Sequence, residues 1–192
     1  MFDIEDFVAA CERAVADADP RGATRELLRQ TMSRRHAVAD RLARDTAGIE
    51  VLYNAADLTV LNVTWAPKMT LHPHEHRMWA AIGIYTGAET NRLYRRGRTR
   101  IQPAGERELD TGDVFGLGRD AIHAIHNPRR QFTGALHIYG GDFVNTPRSQ
   151  WDPDSLLERP FDMADVQRQF AEANAAWRAQ LGSDLDEGVT TD

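Results

Sequence analysis

The stretch LHPHEHRMW, from Leu71 to Trp79, places His72, His74 and His76 at every second position. These are three of only seven histidines in the chain. Side chains two apart on an extended strand point the same way, so the three imidazoles are expected on one face, with Pro73 and Glu75 on the other. Imidazoles packed side by side repel when protonated and need partners when buried. A divalent metal ion accepts their lone pairs, and metal binding is the chemistry this spacing suggests. A second pair, His123 and His126, lies about fifty residues on in GDVFGLGRDAIHAIHNP, and LHIYGG carries His137 two residues before Tyr139.

The elements that must hold these residues fall into three blocks. In FDIEDFVAACERAVADA the apolar residues Ile4, Phe7, Val8, Cys11 and Val15 recur at helical spacing, and ATRELLRQTMSRRHAVADRLAR continues the pattern after Pro20. From about Ile49 the texture turns β-branched and alternating, in short runs such as MWAAIGIYTG, AIHAIHN and TGALHIYGG bounded by Gly, Pro, Asn or Asp. This is the pattern of an antiparallel barrel or sandwich. FDMADVQRQFAEANAAWRAQL then returns to a helical stripe, and an acidic tail closes the chain. The predicted layout is helices over 1–45, a barrel over about 49–145 and a helix over about 161–181, all in one domain spanning 1–182, with 183–192 a flexible acidic tail.

Composition removes several classes of function. The 192 residues are 42% apolar, enough for one core, and the net charge of −6 argues against non-specific nucleic-acid binding. The basic run RLYRRGRTR, Arg92 to Arg100, therefore reads as a solvated hairpin. No apolar run approaches a membrane span, so no membrane partner is expected. The single cysteine, Cys11, cannot form an internal disulfide, which fits a reducing cytoplasm, and its place on a helical apolar face reads as a small core residue.

Two ordered motifs carry a resemblance. GDVFGLGRDAIHAIHNP has the spacing of the second cupin motif, with Gly112, His123 and Asn127 in place, although Gly118 and Asp120 stand where cupins show Pro and Gly. HEH matches the histidine pair of the first cupin motif, but the glutamate that follows in that motif is absent, because positions 80 and 81 are alanines. With PHEHRMW, IGIYTGAE and LHIYGGDF, the chain resembles the thiol dioxygenases of the cupin superfamily. These form the cysteine dioxygenase type I family, and the chain is closest to the bacterial 3-mercaptopropionate dioxygenase type. The likeness spans roughly Trp65 to Arg148.

The resemblance implies a mainly β fold, a cupin double-stranded β-helix or jelly-roll barrel, with helices at both ends. It places metal ligands on His74, His76 and His123, leaving His72 at the rim and His126 packed or facing solvent. Tyr139 and His137 become the catalytic pair, Tyr139 donating a hydrogen bond to the reacting oxygen or thiol and His137 holding its hydroxyl. The serine that precedes this histidine in the family is Ala135 here, and the cysteine that cross-links the tyrosine in animal members is Ala81. The substrate arginine of the animal type has no counterpart in VLYNAADLTVLNV. The arginine of the mercaptopropionate type, nine residues after the tyrosine, falls on Arg148. Trp79 reads as a pocket-wall or core aromatic and is assigned to substrate binding. The implied cofactor is Fe(II), the reactants are a small thiol and O2, and the assembly is a monomer or homodimer. Competing readings are another metal-dependent cupin reaction, an isomerase or a C–C-cleaving dioxygenase, or a non-catalytic binding cupin.

Overall fold

The computed structural model describes residues 1–187. Three helices lead the chain, and each start carries its own signal. Asp3 caps α1 (Ile4–Val15) by accepting the Asp6 N–H at 3.0 Å, and Asp19 caps α2 (Pro20–Ser33) by accepting that of Gly22 at 3.1 Å. Pro20 at the first turn of α2 forfeits an N–H that the helix could not have used. With α3 (Arg35–Leu42), these helices bury Phe7, Cys11, Leu28, Met32 and Leu42 against one face of a sheet. Burial pushes the Cys11 thiol up to about 12, as befits an inert core residue.

Eleven strands follow among the described residues: β1 (Gly48–Asn54), β2 (Thr59–Trp65), β3 (Thr70–Glu75), β4 (Ala80–Thr86), β5 (Ala88–Arg96), β6 (Ile101–Asp110), β7 (Val114–Leu117), β8 (Ile122–His126), β9 (Thr133–Tyr139), β10 (Ser149–Trp151) and β11 (Glu158–Pro160). They form two antiparallel sheets, ordered β1-β2-β9-β4-β7 and β11-β10-β3-β8-β5-β6. Between the hairpins, successive strands switch from one sheet to the other, which winds the chain into a double-stranded β-helix. This is the mainly β cupin barrel with helices at both ends that the motifs implied.

Every residue of β2 and β9 is buried. One face of that sheet meets the leading helices and the other lines the barrel, so neither can be polar and solvated. The interior core gathers Leu61, Val63, Trp65, Leu71, Ile82 and Ile125.

Three details depart from the sequence expectation. β6, over IQPAGERELD, carries no apolar alternation, because eight of its ten positions are exposed and its polar surface hides the strand period. The second sheet also extends past residue 145 through β10 and β11. The last helix, α4, runs Met163–Glu187, starting later and ending later than the apolar stripe suggested. Its backbone continues through 183–187, while 188–192 of the expected tail lie outside the described residues. No helix among the described residues is long and apolar enough to cross a membrane.

Candidate metal centre

β3 and β8 run side by side, with His74 directly opposite His123. His76 follows one residue beyond the end of β3. Ligand atoms of His74, His76 and His123 all lie within 4.8 Å of one another, and all three side chains are buried. His76 Nε2 and His123 Nε2 are 3.3 Å apart. Bonds of about 2.1 Å to one shared ion at tetrahedral or octahedral angles would set two nitrogens about 3.0–3.4 Å apart.

The protonation states agree with that geometry. His74 Nδ1 lies 3.1 Å from the backbone carbonyl of His72, which can only accept, so Nδ1 carries the proton and Nε2 is bare. Asn91 Oδ1 lies 2.6 Å from His123 Nδ1 and fixes that ring in the same tautomer. Burial drives His123 down to about 3, and burial together with the neighbouring His123 holds His74 and His76 well below the ordinary imidazole range. His74 and His123 thus keep Nε2 bare, and His76 Nε2 sits beside that of His123 with its Nδ1 unpartnered among the described residues, a grouping of neutral donors suited to a cation. The donor set fits a divalent metal ion, and no carboxylate belongs to it.

His72 does not share this face. The β3–β8 register shifts between Leu71 and His74, so one extra residue breaks the alternation. Leu71 and His74 both face the interior, whereas His72 turns toward β10 and α4. Its Nε2 lies 3.0 Å from Gln150 Oε1, and its Nδ1 contacts Gln169. The expectation of three imidazoles on one face fails on that bulge. Glu75 stays on the opposite face, as alternation requires, where Arg77 and Arg96 pair with it at 2.8 and 2.7 Å. His126, three positions after His123 on β8, meets Thr70 Oγ1 at 3.0 Å and lies outside the cluster.

Beside the three histidines is a cavity of about 20 Å³, lined by His74, His137, Tyr139, Phe143, Phe161 and the indole of Trp65 among others. The Tyr139 ring packs edge-on to His76 with centroids 4.8 Å apart, and its hydroxyl lies 3.1 Å from His137 Nδ1. Burial raises the Tyr139 phenol, which keeps it protonated. α4 covers the cavity with Met163 and Val166, and Phe170 stacks on Trp65 with centroids 5.3 Å apart.

Arg148 is buried between the rings of Phe143 and Phe161, its guanidinium carbon 4.2 and 3.8 Å from their centroids. One terminal nitrogen donates to the carbonyls of Phe143 at 2.6 Å and Thr146 at 3.1 Å. Nε and the other terminal nitrogen have no hydrogen-bond partner among the described residues, and burial pulls the group down to about 10. A desolvated guanidinium with two spare donors has the fork geometry that suits a carboxylate. Trp79 is placed differently from expectation. It is half-buried, its indole lies so close over Gly140 that a Cβ there would overlap it, and the cavity wall is Trp65 instead. Gly140, having no side chain, leaves the space the indole occupies.

Sequence reasoning missed Glu89, whose carboxylate is fully buried in the barrel. It accepts hydrogen bonds of 2.8 Å from both Trp65 Nε1 and Asn91 Nδ2, and its Oε2 lies 3.5 Å from His137 Nε2. A signal was present, because Glu89 and Asn91 stand two apart in GAETN and must share a strand face.

No protein-family model matches the chain. Solved structures that resemble it include cupins. One is an RmlC-like cupin with a double-stranded β-helix fold from Methanocaldococcus jannaschii, at 12% identity and TM-score 0.45, covering 53% of this chain and 85% of that one. A cupin superfamily protein from Desulfitobacterium hafniense matches at 17% identity and TM-score 0.43, covering 52% and 83%. A Bacillus halodurans protein matches at 13% identity and TM-score 0.48, covering 54% and 77%.

Proposed function

We propose that the chain is a mononuclear non-haem iron dioxygenase that oxidises a small thiol to its sulfinic acid with O2. The observation that carries this reading is an all-imidazole nest beside a buried arginine with two unused donors. Neutral ligands leave the charge of a divalent ion uncompensated, which favours an anionic sulfur and lowers its pKa. His74, His76 and His123 would hold the ion. When bound, Fe(II) supplies the redox chemistry that delivers both atoms of O2 to sulfur.

The other roles belong to side chains. Arg148 binds a carboxylate of the thiol through Nε and its free terminal nitrogen, a planar fork suited to that group. Phe143, Phe161 and Trp65 line the cavity beside His74 with apolar surface and exclude water. Tyr139 and His137 manage the proton that a thiol must shed on binding.

The test is anaerobic loading with Fe(II), followed by oxygen uptake with 3-mercaptopropionate, cysteine and cysteamine. Thiol-dependent uptake with sulfinate as product supports the assignment. Iron bound at full occupancy with no uptake for any thiol would leave a different cupin reaction or a binding protein.

A further inference from the structure

Glu89 is a fully buried carboxylate, and among the described residues no lysine or arginine pairs with it. Burying an uncompensated carboxylate is costly, so its compensation must come from the neutral donors around it. Those donors split between its two oxygens. Oε1 accepts from Asn91 Nδ2, while Oε2 accepts from Trp65 Nε1 and faces His137 Nε2.

We propose that Glu89 is a positioning residue that sets the tautomers of His123 and His137 together. One oxygen thereby orients a metal ligand, and the other arms Tyr139 as the acceptor of the substrate proton. This rests on the reading of the site as a thiol-oxidising centre. On the first arm, Glu89 holds the Asn91 amide with its N–H toward the carboxylate, which turns Oδ1 to His123 Nδ1 at 2.6 Å. The proton then sits on Nδ1, and Nε2 is free for the ion. A flipped amide would set its oxygen against the carboxylate and its N–H against the ring proton, so only one orientation satisfies both contacts.

On the second arm, His137 Nε2 makes no hydrogen bond among the described residues, and Glu89 Oε2 lies 3.5 Å from it; a lone pair there would be repelled by the carboxylate, so His137 carries its proton on Nε2. Nδ1 is then an acceptor, and the Tyr139 hydroxyl donates to it across 3.1 Å. The direction differs from the sequence reading, in which Tyr139 donates toward the reacting groups. Here its oxygen presents lone pairs to the cavity. As the thiol binds, its S–H bond breaks with the electron pair staying on sulfur. The proton goes to the Tyr139 oxygen as the phenolic proton passes to His137 Nδ1, and the resulting imidazolium is stabilised by Glu89. The position of Ala135 removes any serine from this chain of contacts, and Glu89 occupies the far side of His137 instead.

A carboxylate accepts on both oxygens, whereas an amide accepts on one side and donates on the other. Glu89→Gln therefore reverses one arm whichever way it lies, and Glu89→Asp keeps both. The test is nitrogen-15 NMR of the full-length, metal-free chain with labelled histidine, the two rings assigned by loss of signal in His137→Gln and His123→Gln. Wild type should show the proton on Nε2 of His137 and on Nδ1 of His123, and Glu89→Gln should reverse at least one of them. Iron-loaded Glu89→Gln should lose about 10–100-fold in thiol-dependent oxygen uptake or in iron affinity, with a shifted pH profile that Glu89→Asp restores. A wild-type His137 protonated on Nδ1 overturns the proposal even if the Gln variant fails to fold, and so do unchanged tautomers in Glu89→Gln. Tautomers as described, in a chain that oxidises no thiol, would support the positioning role and overturn only the assigned reaction.

Discussion

Arg148→Met separates substrate recognition from folding. Methionine keeps an unbranched side chain between Phe143 and Phe161 but removes the charge and every donor. In the ligand-free protein two effects oppose each other. The guanidinium falls from 12.5 to about 10 on burial, which amounts to a desolvation cost on the order of 3 kcal/mol that the variant relieves. Against this stand the lost bonds to the Phe143 and Thr146 carbonyls, each worth about 1.5–3 kcal/mol for a charged donor. The net is a destabilisation between zero and about 3 kcal/mol, measurable as a shift in urea midpoint. Substrate binding has no such compensation. A carboxylate-bearing thiol loses at least one charge-assisted bond to Nε or the free terminal nitrogen, about 1.5–3 kcal/mol, so its KM should rise about 10- to 150-fold. Cysteamine, which has no carboxylate, should change little. The assay is oxygen uptake by iron-matched wild type and variant across both thiols. Equal losses on the two would show that the arginine shapes the barrel and binds no substrate.

Replacing His74, His76 or His123 by alanine should abolish iron retention, while His72→Ala and His126→Ala keep it; metal analysis after identical purification decides, and full occupancy in His123→Ala would break the ligand assignment. Tyr139→Phe should retain its iron and fold yet lose about 10²–10⁴-fold in kcat as a proton-transfer group, and unchanged turnover would reduce the residue to a barrel aromatic. The metal-free protein should weaken as pH falls. His123 titrates at about 3 when folded and 6.5 as a free side chain, so the unfolded chain takes up protons that the folded chain refuses. This contribution is complete above pH 6.5 and is lost toward pH 3, at about 1.4 kcal/mol per unit once well below 6.5. Urea midpoints between pH 7.5 and 5 should fall less steeply in His123→Asn than in wild type.

What the sequence disclosed follows the reach of its local rules. Motif spacing brings together His74, His76 and His123 because strand pairing sets His74 opposite His123, and fixed spacing encodes fixed register. His72 stays outside the ligand set, as read, but the face expected for it fails because alternation holds only within an unbroken ladder, and Pro73 lies inside the shift. Trp65 and Trp79 cannot be ranked as pocket walls by composition, since the choice depends on Gly140, sixty-one residues from Trp79 in sequence. Glu89 is the larger omission. A charged residue in a strand reads as solvent-facing, and only the closed barrel shows that Trp65, Asn91 and His137 converge on it.

The all-imidazole nest bears on which metal ion it would take up. Three imidazole nitrogens, two on paired strands and one just past a strand end, exert no preference of their own for iron. Such sites follow the Irving–Williams order, in which copper and zinc outcompete Fe(II). Loading is then governed by which ions the surroundings keep available when the barrel closes over His123. Protein produced in zinc-rich medium should arrive filled with zinc, inert toward thiols and stable enough to exclude iron. The ion recovered on purification would then record the growth conditions, and exchange by chelation and anaerobic reconstitution would decide whether any activity is seen.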